Sequence, residues 1–163
     1  MKQLILMVTL FTGSLLLTAN TFAASSEVIW TDYESYRDIR EGSMTKKKFR
    51  EHLFKTIEQH IASLAAKLPE DRTLKINVTD VDLAGNINIG GIHSIRIIKQ
   101  MYPPRINLSY QLIDANDNVI KSDEDVVVRD MNFMTSVPLK YRQKSFGYEK
   151  RMLDKWFKDT FTE

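Results

Sequence analysis

Asp80 and Asp82 stand two residues apart at the end of an alternating stretch that includes Leu74, Ile76 and Val78. Strand side chains alternate faces with period two, so all five are expected on one face. An apolar face that closes on two carboxylates is a local inconsistency, and such places tend to be functional or strained. Burial would raise one of the two pKa values unless a cation compensates. Arg96 and Arg105 are the compensators the sequence offers, and Asp130 is a third carboxylate that could join the group. The chemistry available to such a cluster is cation binding or acid–base work. The structural alternative has the strand ending near Thr79, with the aspartates capping a turn or paired to arginine. Buried ion pairs are more often scaffold than site, which favours the alternative.

A second pattern is cationic. Lys46, Lys47 and Lys48, with Arg50 and the nearby Arg37 and Arg40, fall at the expected start of a helix. Cations there oppose the helix dipole, by about 0.3–1 kcal/mol each at low salt. Free N–H groups beside lysines would suit a phosphate on a lipid, glycan or ligand, whereas the ordinary reading of a charge run is a solvated face. The turn Asp114-Ala115-Asn116-Asp117-Asn118 superficially echoes a calcium loop. Its glycine position is Val119 and its bidentate glutamate position is Asp125, so an Asx-rich hairpin turn is the better account.

The histidines form no constellation. His52 and His60 would lie about 80° apart and two turns distant on one helix, too far to clamp an ion. "EHLFK" lacks the second histidine of a zinc-protease motif, and His93 stands alone beside a Gly90-Gly91 turn. No G-x-S-x-G elbow, P-loop or dinucleotide fingerprint is present. No cofactor and no metal are therefore expected.

The elements that must position these residues follow from periodicity. Val28-Ile29-Trp30 is a short β-prone run, and Tyr33 to Gly42 reads as a loop. A helix follows, with Ser43 as expected N-cap and Phe49, Leu53, Ile57, Ile61, Leu64 and Leu68 on one stripe up to Pro69. Strands are expected over Leu74–Leu83, Ile92–Ile98, Ile106–Leu112 and Val119–Val128, the last two forming a hairpin, with Asn86–Gly91 as loop. Met131–Phe146 is irregular. A last helix over Gly147–Phe161 buries Tyr148, Met152, Leu153, Trp156 and Phe157, leaving Asp154 and Lys158 paired on its wet side. Trp30 and Trp156 are expected to be structural, tying the first strand to the last helix. The order β-α-β-β-β-β-α implies an α+β domain, two helices covering one face of a mostly antiparallel sheet of four to five strands. The β–α–β step allows one parallel pair.

Composition narrows the class. The chain has 163 residues, 43% of them hydrophobic and 27% charged, with no cysteine. Disulfides, thiolate catalysis and cysteine-ligated zinc are excluded. Met1-Lys2, the apolar run Leu4–Leu17 and the small-residue segment Thr18–Ala24 have the layout of a signal peptide cleaved after Ala23. The apolar core is too short to span a bilayer, so no stable membrane insertion is expected after its removal. Lys2 is the one charge in that segment, so the remaining chain, 24–163, keeps basic residues ahead of acidic ones by one. So balanced a chain gives no electrostatic ground for binding nucleic acid.

Four segments are distinctive together: "YRDIR" at Tyr36–Arg40, "VTDVDLAG" at Val78–Gly85, "YPPRINLSY" at Tyr102–Tyr110 and "YEKRMLDKWF" at Tyr148–Phe157. They resemble a family of small exported bacterial proteins known only as a domain of unknown function. The resemblance implies an envelope setting, the periplasm of a Gram-negative cell, and brings no reaction with it. The expectation is a non-enzymatic binding or assembly module that contacts an unknown envelope component. The alternatives are a divalent-ion-dependent hydrolase built on Asp80, Asp82 and Asp130, and an adaptor for anionic lipid or glycan working through Lys46–Lys48.

Overall fold

The computed structural model describes residues 23–36, 38–39, 44–88, 95–135 and 137–162. The N-terminal segment, Arg37, Arg40, Ser43, Gly90-Gly91 and His93 lie outside the described residues. The elements are β1 (Ser25–Trp30), α1 (Lys46–Ala65), β2 (Thr73–Asp82), β3 (Asn86–Asn88), β4 (Ile95–Ile97), β5 (Arg105–Ile113), β6 (Val119–Arg129), α2 (Leu139–Arg142) and α3 (Gly147–Phe161). The class is α+β, as the alternation of strand and helix periods implied.

Four strands form one sheet in the order β1-β2-β5-β6. β1 runs parallel to β2 from Ser25↔Thr73 to Trp30↔Val78, with α1 as the crossover, while β2/β5 and β5/β6 are antiparallel. The sheet is therefore mixed rather than mostly antiparallel, because a strand returning after a helix enters beside its predecessor in the same direction. β3 and β4 do not join it. They pair with each other as a separate two-stranded sheet, so Asn86–Asn88 is strand where a loop was expected. α2 adds a helical turn inside the segment read as irregular.

The core lies between one face of the sheet and the helices. The stripe Phe49, Leu53, Ile57, Ile61 and Leu64 of α1 is buried, as are Met152, Leu153 and Phe157 of α3. They meet the inward residues Leu74, Ile76 and Val78 of β2 and Ile106, Leu108 and Tyr110 of β5 in a single cluster. Thr45, rather than Ser43, caps α1, accepting from Lys48 N at 3.3 Å. The helix ends at Ala65, earlier than Pro69. Lys67 N and Leu68 N then bond back to Leu64 O and Ala65 O, a tight closing turn that still lays Leu68 on the core.

Candidate functional site

The pairing of β2 with β5 slips between Val78 and Asp80. An extra residue on one strand reverses the alternation beyond it. Val81 is therefore buried opposite Ile106, and Asp80 and Asp82 sit opposite Asn107 and Arg105 on the other face. This corrects the expectation that the aspartates share the face of Leu74, Ile76 and Val78, since simple period-two counting does not survive a bulge. They line a groove of about 510 Å³ together with Ser35, Asp38 and Arg105. Arg105 Nη2 lies 3.0 Å from Asp80 Oδ2 and 3.9 Å from Asp82 Oδ2. Partial burial, and then the Asp38 charge, push Asp82 above the ordinary aspartate value against the pull of Arg105. Asp130 does not join them. It is buried elsewhere, accepting from Asn132 N at 3.0 Å and facing Arg151 Nε of α3 at 3.8 Å.

Arg96 answers a different aspartate. Its Nη1 is 2.7 Å from Asp38 Oδ2 and its Nη2 is 3.1 Å from Asp38 Oδ1, a bidentate pair in which the arginine side chain is only 8% exposed. Asp38 Oδ2 also accepts from Leu83 N at 2.9 Å. One residue on, Ala84 N donates to Glu149 Oε1 at 2.8 Å, and Gly85 N donates to Tyr102 O at 2.9 Å. Tyr36 completes the corner, its hydroxyl within reach of Val78 O at 2.7 Å and Thr31 O at 2.9 Å. Burial, followed by the Asp80 and Asp32 charges, lifts that phenol to about 12. The four segments that carried the family resemblance thus meet where β2 leaves the sheet, and three successive N–H groups there each receive an acceptor.

Asp38 and Glu149 were not singled out by sequence reasoning. Asp38 lies in a loop without periodicity, and its one signal was its place in the segment Tyr36–Arg40. Glu149 gave one: it precedes Met152 by three and Leu153 by four, which places it on the buried side of α3. Its carboxylate is buried, and burial raises its pKa despite the Ala84 N–H and nearby Arg96.

Beside this corner is a cavity of about 350 Å³ between α1, α3 and the β2–β3 junction. Phe49, Leu83, Ile98, Phe146 and Tyr148 give it apolar walls, and His52, Arg96 and Glu149 add polar groups. Phe146 caps α3 in the left-handed region at φ 56° and ψ 40°. For a bulky residue that conformation costs about 1–3 kcal/mol. It sets the ring edge-on to Phe49 at 5.7 Å and tilted against His52 at 5.4 Å. Arg142, Lys144 and Ser145 also line it, so such a space suits a small molecule with both apolar and polar groups.

The remaining candidates separate. Lys46, Lys47 and Lys48 are exposed on the first turn of α1, and Lys47 pairs loosely with Glu51 at 3.9 Å. Arg50 is turned away from them, 2.6 Å from Glu34 and over the Tyr33 ring at 4.4 Å. In the β5–β6 hairpin, Asp114 accepts from Asn116 N, Asn118 N and Asn118 Nδ2, bonds that hold its carboxyl below the usual value and occupy its oxygens. Trp30 stacks on Phe54 at 3.9 Å and donates to Glu58 Oε1 at 2.7 Å, so it ties β1 to α1 rather than to α3. Trp156 is half-buried against Tyr110 and Phe161. Asp154 does not pair with Lys158 on a wet face. It turns inward to His60, Tyr141 and Lys140, because the short α2 covers that side of α3.

Among the described residues no three acidic or histidine side chains are placed to hold a metal ion, and no helix is long and apolar enough to cross a membrane. No curated protein matches the chain. No solved structure matches it. A family model described as "Protein of unknown function (DUF3016)" matches residues 24–159, well over half of the sequence, and the chain therefore belongs to that family.

Proposed function

We propose that the protein is exported to the bacterial periplasm, where it acts as a non-enzymatic binding module for another envelope component, and that its ligand seat is the cavity beside Glu149. The cavity is the observation that carries this reading: about 350 Å³, with mixed apolar and polar walls and a strained Phe146 in its lining. Support also comes from how its polar groups are employed. Arg96 is held by Asp38, Glu149 accepts from Ala84 N, and His52 leans on Phe146, so they shape the wall rather than stand ready to move protons. The export half rests on the Leu4–Leu17 run and its small-residue boundary. A divalent-ion hydrolase at Asp80 and Asp82 is the weaker reading, since Arg105 already supplies the cation between them.

Native mass spectrometry of the chain purified from its host's periplasm tests the proposal. The expected result is a mature mass beginning at Ala24, with a small-molecule adduct that Ser145→Trp, at an exposed residue of the cavity lining, removes. A chain that keeps Met1, or an adduct indifferent to Ser145→Trp, overturns the corresponding half.

A further inference from the structure

A second cavity, of about 220 Å³, lies where three helical segments converge: His60 and Ser63 of α1 with Lys67 just past its end, Lys140 of α2 with Lys144 beyond it, and Lys150 and Asp154 of α3. Four lysines therefore line one small space with a single acidic residue, Asp154. One oxygen of that carboxylate is employed, and the other, close to His60, is buried without a hydrogen bond. Asp154 Oδ2 receives the Tyr141 hydroxyl and lies 3.1 Å from Lys140 Nζ, while Oδ1 lies 2.7 Å from His60 Nε2. Among the described residues no carboxylate forms an ion pair with Lys67, Lys144 or Lys150.

Fold electrostatics explains only part of this. Lys67 follows the C-terminus of α1, where the dipole favours a cation. Lys150 sits at the opposite kind of place, in the first turns of α3, where the dipole disfavours it. Burial, and then the neighbouring Lys144, lower the Lys150 pKa as well. A cation pressed against its own kind at the wrong end of a helix lowers the stability of the empty protein, and a bound anion removes that cost.

We infer that this cavity binds a phosphate group through Lys67, Lys144 and Lys150. A phosphate monoester carries a charge of about −1.5 to −2 at neutral pH and a phospholipid phosphodiester about −1, and three ammonium groups suffice to neutralise either. Lysine acts on phosphate as a compact point charge that needs no planar fork, and three lysines from separate segments can surround one group. The inference does not depend on what fills the larger cavity, which shares Tyr141 and Lys144 in its lining. The phosphate can belong to a soluble anion or to a phospholipid headgroup.

Calorimetric titration of the mature chain with pyrophosphate at low salt is the test, beside co-sedimentation with phosphatidylglycerol and phosphatidylcholine vesicles. Lys144→Gln and Lys150→Gln are each expected to weaken pyrophosphate binding about tenfold, the worth of one charge-assisted contact. Lys46→Gln, on the first turn of α1 and outside the cavity, is expected to change nothing. Pyrophosphate binding without vesicle capture identifies a soluble ligand. Capture by phosphatidylglycerol alone, reversed by pyrophosphate, identifies a headgroup. The inference is overturned if the wild-type chain binds neither probe, if chloride at equal ionic strength gives the same heat, or if Lys144→Gln binds as the wild type does. Lys144 is exposed, so that last arm stands even where Lys150→Gln fails to fold.

Discussion

Gly85→Ala is the most direct perturbation of the corner where the motif segments meet. Gly85 has φ +85°, and a Cβ built on it would lie 2.5 Å from Ile97 O and 2.8 Å from Ile98 Cδ1. Two costs add. Holding an alanine at positive φ costs about 1–2 kcal/mol. The Ile98 methyl can swing aside, but the Ile97 carbonyl is backbone at the end of β4 and must move, an overpacking cost of about 1–3 kcal/mol. That displacement also pulls on Arg96, the preceding residue, and hence on its pair with Asp38. The total is about 2–5 kcal/mol, and at roughly 4 °C per kcal/mol for a chain of this size the midpoint should fall by about 8–20 °C. Thermal unfolding followed by circular dichroism measures it. Gly85→Asn separates the costs, because asparagine tolerates the left-handed region yet carries the same Cβ. It should recover less than half of the loss. An alanine variant melting within about 2 °C of wild type, or an asparagine variant melting like wild type, refutes the close-contact argument.

Three further outcomes follow from the same corner. Asp38→Asn removes the charge that the mostly buried Arg96 grips bidentately, an expected loss of about 1–3 kcal/mol, seen as a lower urea midpoint at unchanged slope; an unchanged midpoint contradicts the pair's structural weight. Glu149 has a raised folded pKa, so its contribution is present below the ordinary glutamate value and is lost as pH rises through the folded value. Glu149→Gln should remove that decline, and parallel stability–pH profiles for the two chains refute it. Asp80→Asn breaks a pair whose side chains are each 36% exposed, so solvent screening limits the loss to about 1 kcal/mol or less; a larger loss in the same urea assay means that Asp80 does more than pair with Arg105.

What was legible in the sequence follows from periodicity. The α1 stripe, the β5–β6 hairpin and α3 rest on long runs with one clear period, and tertiary structure had no reason to override them. β3 was illegible because three polar-flanked residues carry no period at all. The face of Asp80 and Asp82 was misread for a sharper reason: a bulge inserts one residue, and one residue is a full reversal on a strand. Arg96 was identified as a compensating cation, but its carboxylate partner, Asp38, comes from a loop that no spacing rule connects to it. Trp30 was expected to tie the first strand to the last helix but meets α1, since composition cannot say which helix an aromatic ring will meet.

The family segments meet at one corner and supply only part of the lining of each cavity. In the segments Tyr36–Arg40, Val78–Gly85, Tyr102–Tyr110 and Tyr148–Phe157, the residues with the most specific geometry satisfy backbone groups or fit tight turns: Tyr36 on Val78 O, Asp38 on Leu83 N, Glu149 on Ala84 N, and Gly85 beneath Ile97. Those residue types are accounted for by the architecture of one corner, without any reaction. The basic cavity is drawn mostly from elsewhere, with His60, Ser63, Lys67, Lys140 and Lys144 all outside the four segments. A chain sharing the segments would therefore keep the corner and could still differ at the cavity. The segments then mark the fold and carry Lys150 with it, and the residues at positions 67 and 144 mark which members share the phosphate ligand.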